Sequence, residues 1–292
     1  MAGIGLALGG GGPVGIAWEV GVMAALVDAD FDLDRVTTIV GTSAGSVVGA
    51  HLVNGVPLDE LVERQQADAR LPGVSETGDA ADSEATRPDM TRVIEIFSLL
   101  GDRGAPTENL TARVGQLALD APTPPEQSWV GNFERTLAGL DWTDADLRVT
   151  AVDCESGART VWTAADQVAL SLAVASSCAV PGMFAPVTIG GRRYTDGGVW
   201  SISNADLLAD SGVDRAIFIG PIGAVGGKLS PALEREQALL AESGIHLEAI
   251  GPGPEFADRV GMNLMDPSYR GVGVELGQAD GAAAAERVLA RT

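Results

Sequence analysis

The chain has 292 residues, 46% of them hydrophobic, and a formal net charge of -21. That apolar content excludes a disordered chain, and the length suits one large α/β domain or a core domain carrying an insertion. The acidic surface argues against nucleic acid as a partner and against electrostatic docking on anionic membranes, so any transient contact with a lipid surface has to rest on apolar groups near the site.

The apolar run Ile4–Leu8 stops at Gly9–Gly12, and Gly15 to Val27 then carries apolar residues at helical spacing, which predicts strand, glycine loop and helix. Val36 to Val40 predicts a second strand, followed by the turn Gly41-Thr42-Ser43-Ala44-Gly45 and a small-residue helix to about Asn54. Two such units predict a mainly parallel sheet flanked by helices on both faces. Residues 1–292 are read as a single domain in which about 71–145 is an inserted helical cap. Within it, Gly73–Pro88 is an acidic loop, and Asp89–Leu100 and Glu108–Leu119 are amphipathic helices.

Leu147–Val152 and Arg159–Trp162 predict a strand pair, and Asp166 to Ser176 a helix ended by Pro181-Gly182. Val187–Ile189 and Arg192–Tyr194 are short strands leading to Asp196-Gly197-Gly198. Further strands are expected at Ala216–Ile219 and His246–Ile250, with a helix from Pro231 to Glu242 between them and a final helix at Gly281–Arg291. Lys228 is the only lysine, and the two cysteines, Cys154 and Cys178, read as buried free thiols. The N-terminus lacks the basic start of a signal peptide, and no run of about 18 apolar residues is free of polar interruption, so the expected location is the cytoplasm.

A serine becomes a nucleophile when it is lifted out of the sheet, given a base and set beside donors for an oxyanion. Strand, Gly-x-Ser-x-Gly and helix place Ser43 in that way, with Gly41 and Gly45 permitting the tight turn and close helix packing. Gly10, Gly11 and Gly12 can turn backbone N–H groups toward one oxygen, which makes them oxyanion-hole candidates. The same loop spells Gly10-x-Gly12-x-x-Gly15 and admits a nucleotide-binding, non-catalytic reading. The acidic residue that reading wants is missing, because the next strand runs into Gly41-Thr42-Ser43.

The base is the open question, because the chain has two histidines. His51 lies about 12 Å along the helix from Ser43, out of reach. His246 follows Asp196, and the order Ser43, Asp196, His246 matches an α/β-hydrolase triad, although such enzymes have several strands before the nucleophile. Asp196, on a turn before Gly197 and Gly198, is the other candidate, and burial would have to raise its pKa for it to serve as a base.

Taken together, Gly10-Gly11-Gly12-Pro13-Val14-Gly15, Gly41-Thr42-Ser43-Ala44-Gly45, Asp196-Gly197-Gly198 and the stretch Ala175–Pro186 resemble the patatin-like phospholipase family. The resemblance covers about 1–55 and 147–220 and implies the family's three-layer α/β fold. It also implies a Ser43–Asp196 dyad without histidine, an oxyanion hole from the glycine loop, and hydrolysis of lipid acyl esters with neither metal nor cofactor. One departure is Val14, where the family usually has Arg or Lys. Loss of that cation favours a neutral ester, such as a glyceride, relative to a phospholipid.

Overall fold

The computed structural model describes residues 3–67, 93, 95, 96, 99, 100 and 105–290. The expected acidic loop Gly73–Pro88 lies outside the described residues, as does most of the helix expected at Asp89–Leu100.

The sheet is built from β1 (Ile4–Leu8), β2 (Val36–Gly41), β3 (Asp146–Asp153), β4 (Arg159–Trp162), β5 (Val187–Ile189), β6 (Arg192–Asp196), β7 (Arg215–Ile219) and β10 (His246–Ile250). Their order is β10-β7-β1-β2-β3-β6-β5, with β4 beside β3. The run from β10 to β3 is parallel, whereas β4, β5 and β6 pair antiparallel. A small hairpin, β8 (Ala224–Val225) and β9 (Lys228–Leu229), stands apart from the sheet.

Every residue of β1 and β7 is buried, as strands covered on both faces must be. Alternation along them separates two apolar layers. Leu6, Leu8, Ile217 and Ile219 join a core that includes helices α1 (Gly12–Asp28), α2 (Ala44–Val53) and α9 (Arg270–Leu289). Ala7, Ala216 and Phe218 join a second core with Leu208 and with Leu233 and Leu240 of α7 (Pro231–Glu242). The remaining helices are α3 (Leu58–Gln66), α4 (Glu108–Leu119), α5 (Glu126–Thr136), α6 (Leu170–Ser177) and α8 (Pro254–Arg259). Of the expected insertion, α4 lies on β3 and β6, and α5 lies on α6.

Two of the expected helices are built differently, and α3, α8 and the β8–β9 hairpin were not foreseen in the sequence. The helix expected from Asp166 is a short turn at Ala164–Asp166, then Gln167 at φ 56, then α6 from Leu170. The left-handed residue breaks the helical run. The final helix starts at Arg270 rather than Gly281, because Gly273, Gly277 and Gly281 lie where α9 meets the backbone of α1 and favour close packing there.

Candidate active site

Ser43 stands between the C-terminal end of β2 and the first residue of α2, at φ 52 and ψ -117. A non-glycine residue at positive φ costs on the order of 1–3 kcal/mol and persists only where its surroundings hold it. They do so here. The Ser43 N–H donates to Ser177 Oγ at 2.9 Å, and its carbonyl accepts from Ser46 Oγ at 2.6 Å and from the Cys178 thiol at 3.2 Å. A Cβ on Gly45 would lie 2.1 Å from Leu8 O, and one on Gly41 would lie 2.6 Å from Ser46 Cα, so neither turn glycine can be exchanged without displacing backbone. Ser43 is 6% exposed.

The glycine loop is bound to this turn. Gly9 O accepts the Gly45 N–H at 2.9 Å, and a Cβ on Gly10 would sit 3.6 Å from Ser43 Cβ. The Gly10 N–H, however, donates to Ile202 O at 3.1 Å, which narrows the expected set of three loop donors. Among the described residues, the amides of Gly11 and Gly12 have no protein acceptor, and they stand at the N-terminus of α1, where N–H groups are unsatisfied by helix geometry. Gly12 adopts φ +60, which glycine does without strain, and a Cβ there would lie 2.6 Å from Met265 Sδ.

Asp196 is the last residue of β6, paired with Ala151 of β3, and it caps the helical turn Gly197–Val199. Its N–H donates to Ala179 O at 3.0 Å and its Oδ1 accepts the Gly198 N–H at 2.7 Å. Burial pushes its carboxyl up to about 7, while hydrogen bonds from the Gly198 amide and the Ser43 side chain pull the other way. A Cβ on Gly197 would fall 2.2 Å from Thr150 Oγ1, and one on Gly198 2.9 Å from Asp196 Oδ1. Thus the structure brings Ser43, Asp196 and the glycine loop together.

His246 is not with them. It opens β10 and pairs with Arg215 at the start of β7, at the end of the parallel sheet opposite to that from which β2 delivers Ser43. The triad reading with His246 is therefore corrected by topology. His51 is buried on α2, its Nδ1 against Val47 O at 2.8 Å.

Several supporting residues went unread in the sequence. Asn204 is buried at φ 47, and its Nδ2 donates to Thr42 Oγ1 at 3.0 Å and Ser201 O at 2.6 Å. Thr42 in turn meets Thr150 Oγ1 at 2.9 Å. This network ties the segment after Asp196 to the Ser43 turn and to β3. Glu236, on α7, accepts from the Ser201 and Ser203 hydroxyls and from the Ala205 N–H. On α1, the fully buried Glu19 is held well above the usual carboxylate range by burial, which the Gly9 backbone amide offsets only in part. Cys178 and Cys154 are free and buried, as expected, and burial raises both thiols.

Val14 is also explained. Its side chain is fully buried and lies 3.2 Å from where a Gly273 Cβ would be, so a cation here would be driven into the contact between α1 and α9. A groove of about 680 Å³ lined by Leu33, Leu52, Val56 and Leu58 lies at the far end of α2 from Ser43. Among the described residues, no helix is long and apolar enough to cross a membrane, and no group of three or more His, Cys, Asp or Glu could hold a metal.

Residues 6–209 match the patatin-like phospholipase family. Among solved structures, the chain is similar to VipD from Legionella pneumophila, at 14% identity and a TM-score of 0.44, covering 94% of this chain and 66% of that one. It is similar also to the type III effector protein ExoU, at 18% identity and a TM-score of 0.41, covering 95% of this chain and 54% of that one. The chain thus spans about two thirds of the first and just over half of the second. No curated protein matches it.

Proposed function

The chain belongs to the patatin-like phospholipase family, and from that premise we propose that it hydrolyses lipid acyl esters through an acyl-enzyme on Ser43, with Asp196 as the base. The observation that carries the reading is a buried Asp196 carboxyl raised to about 7, with the Ser43 side chain close enough to offset part of that rise. A carboxylate at that pKa is a better proton acceptor than an exposed aspartate and is still ionised in a large fraction of molecules near neutral pH.

In this mechanism Asp196 takes the Ser43 proton as Oγ attacks the acyl carbonyl. The amides of Gly11 and Gly12, with Ala44 at the first position of α2, face the developing oxyanion. The tetrahedral intermediate collapses, the alcohol leaves with the proton from Asp196, and the acyl group stays on Ser43. Asp196 then draws a proton from water, which attacks the ester, and returns that proton to Ser43 Oγ as the fatty acid leaves. The proposed substrate is a phospholipid, lysophospholipid or neutral glyceride. Buried Val14 supplies no cation for an anionic head group, which favours the neutral or zwitterionic end of that range.

Covalent labelling tests the proposal. A fluorophosphonate is expected to label the wild-type protein stoichiometrically and to leave Ser43→Ala unlabelled, with ester turnover lost in parallel. Folded wild type that takes no label would overturn it and return the Gly10–Gly15 loop to a non-catalytic reading.

A further inference from the structure

Two loops flank the glycine loop where the parallel strands end. The first follows β7 and carries the β8–β9 hairpin, and its Pro221 Cγ lies 2.5 Å from where a Gly11 Cβ would be. The second follows β10 and α8. Its Leu264 O accepts the Val14 N–H at 3.2 Å, and its Met265 Sδ lies 2.6 Å from a Gly12 Cβ position. Their inner sides thus pack on Gly11 and Gly12.

Their outer sides are unlike the rest of the molecule. Among the described residues, four large apolar side chains are exposed, and three are on these loops, namely Ile222 at 37%, Val225 at 56% and Met262 at 93%. The fourth, Leu239, is on α7. Single exposed apolar residues need no explanation, but a collection beside one site does. A second observation coincides with it. The chain's one lysine, Lys228, is the cross-strand partner of Val225 in the same hairpin. Apolar side chains with a neighbouring lysine suit the boundary between acyl chains and head groups, where the lysine stem lies along apolar surface and its ammonium reaches phosphate.

We propose that Ile222, Val225, Met262 and Lys228 form a rim that docks the protein on a zwitterionic lipid surface, so that substrate reaches Ser43 from the surface rather than from water. The proposal rests on the hydrolase reading above. Net charge selects the occupant, because -21 is repelled by an anionic leaflet and by a second copy of the same chain, whereas a zwitterionic surface adds no opposing net charge.

The test is cosedimentation of the full chain with phosphatidylcholine vesicles, beside turnover of a soluble short-chain ester. Met262→Asp and the double variant Ile222→Asp/Val225→Asp should each lower vesicle partitioning at least tenfold, with soluble-ester turnover changed less than twofold. Doping the vesicles with phosphatidylglycerol should weaken wild-type binding. Met262→Ser, which adds no charge, should lower partitioning in the same direction and separates lost apolar contact from added repulsion. Wild type that ignores phosphatidylcholine vesicles, or variants that bind as wild type does, would overturn the proposal. So would a rim substitution that acts by splitting a dimer in size-exclusion chromatography. Failure of the hydrolase reading looks different, as vesicle binding that remains rim-dependent in a protein without ester turnover.

Discussion

Helix α1 meets glycine at its N-terminus and along its flank, and the two sets are there for different reasons. At the N-terminus, consecutive glycines turn the chain, with Gly12 at φ +60 and Gly10 beside Ser43. Along the flank, Gly273, Gly277 and Gly281 of α9 recur every fourth residue. Their Cβ positions would fall 3.1 Å from Val14 O, 2.1 Å from Trp18 O and 2.7 Å from Val22 O. Gly21 of α1 reciprocates, 2.4 Å from Val274 O. In the first set Gly12 serves the backbone conformation, while the side chains of Ile202 and Pro221 close on Gly10 and Gly11; in the second, the backbone of a neighbouring helix leaves little room for a Cβ. The flank set lies beyond residue 209, where the family match ends, yet it holds the helix on which the glycine loop is mounted.

The largest expected effect bears on the site side of that contrast. Asp196→Asn should reduce turnover by about 10²–10⁴-fold, the usual worth of a general base. In the wild type, kcat/KM should rise with pH through about 7, as the carboxyl loses its proton. Stability runs the other way. The folded pKa is raised above the unfolded one, so the stability this group gives at low pH is lost between about pH 4 and pH 7. Thermal melts at pH 8 should accordingly show Asp196→Asn above wild type, and a lower melt would argue that the carboxylate is a structural group.

Alanine at one glycine from each region breaks the comparison most directly. Gly45→Ala and Gly277→Ala both place a Cβ 2.1 Å from a carbonyl oxygen. Overpacking of this kind typically costs about 1–3 kcal/mol, and in α9 about 1 kcal/mol returns as helix propensity. Gly45→Ala should lose turnover as well as stability, whereas Gly277→Ala should melt earlier while its folded fraction turns over normally. Equal loss of turnover per folded molecule would erase the distinction.

Much of the site side was legible because turn chemistry is local. Gly41 to Gly45 and Asp196 to Gly198 declare their geometry within a few residues, and each sits where the strand, turn and helix pattern placed it. The flank side was not legible, since nothing within the sequence pairs the glycines of α9 with α1, and the expected final helix began only at Gly281. Ser177 and Asn204 were missed for a similar reason. Their partners, Ser43 and Thr42, are more than a hundred residues away, and no spacing within the chain announces such a bond. The alternative triad with His246 shows the opposite case, in which chain order suggested a meeting that the strand register forbids.

Smaller effects sharpen the picture. Glu19→Met removes a buried carboxyl whose desolvation the Gly9 amide offsets only in part, and should stabilise the fold by about 1 kcal/mol, read as a raised denaturant midpoint. Least of all, His246→Ala should alter turnover less than twofold, and a larger loss would reopen the histidine question.

The Ser43 peptide groups carry a further consequence. The residue's N–H is taken by Ser177, and its carbonyl is shared between Ser46 and Cys178. Its main chain is saturated, and only the hydroxyl is left for chemistry. In the proposed mechanism, gaining and shedding an acyl group would therefore disturb no backbone hydrogen bond at this residue. The orientation of Ser43 is settled once, when the chain folds.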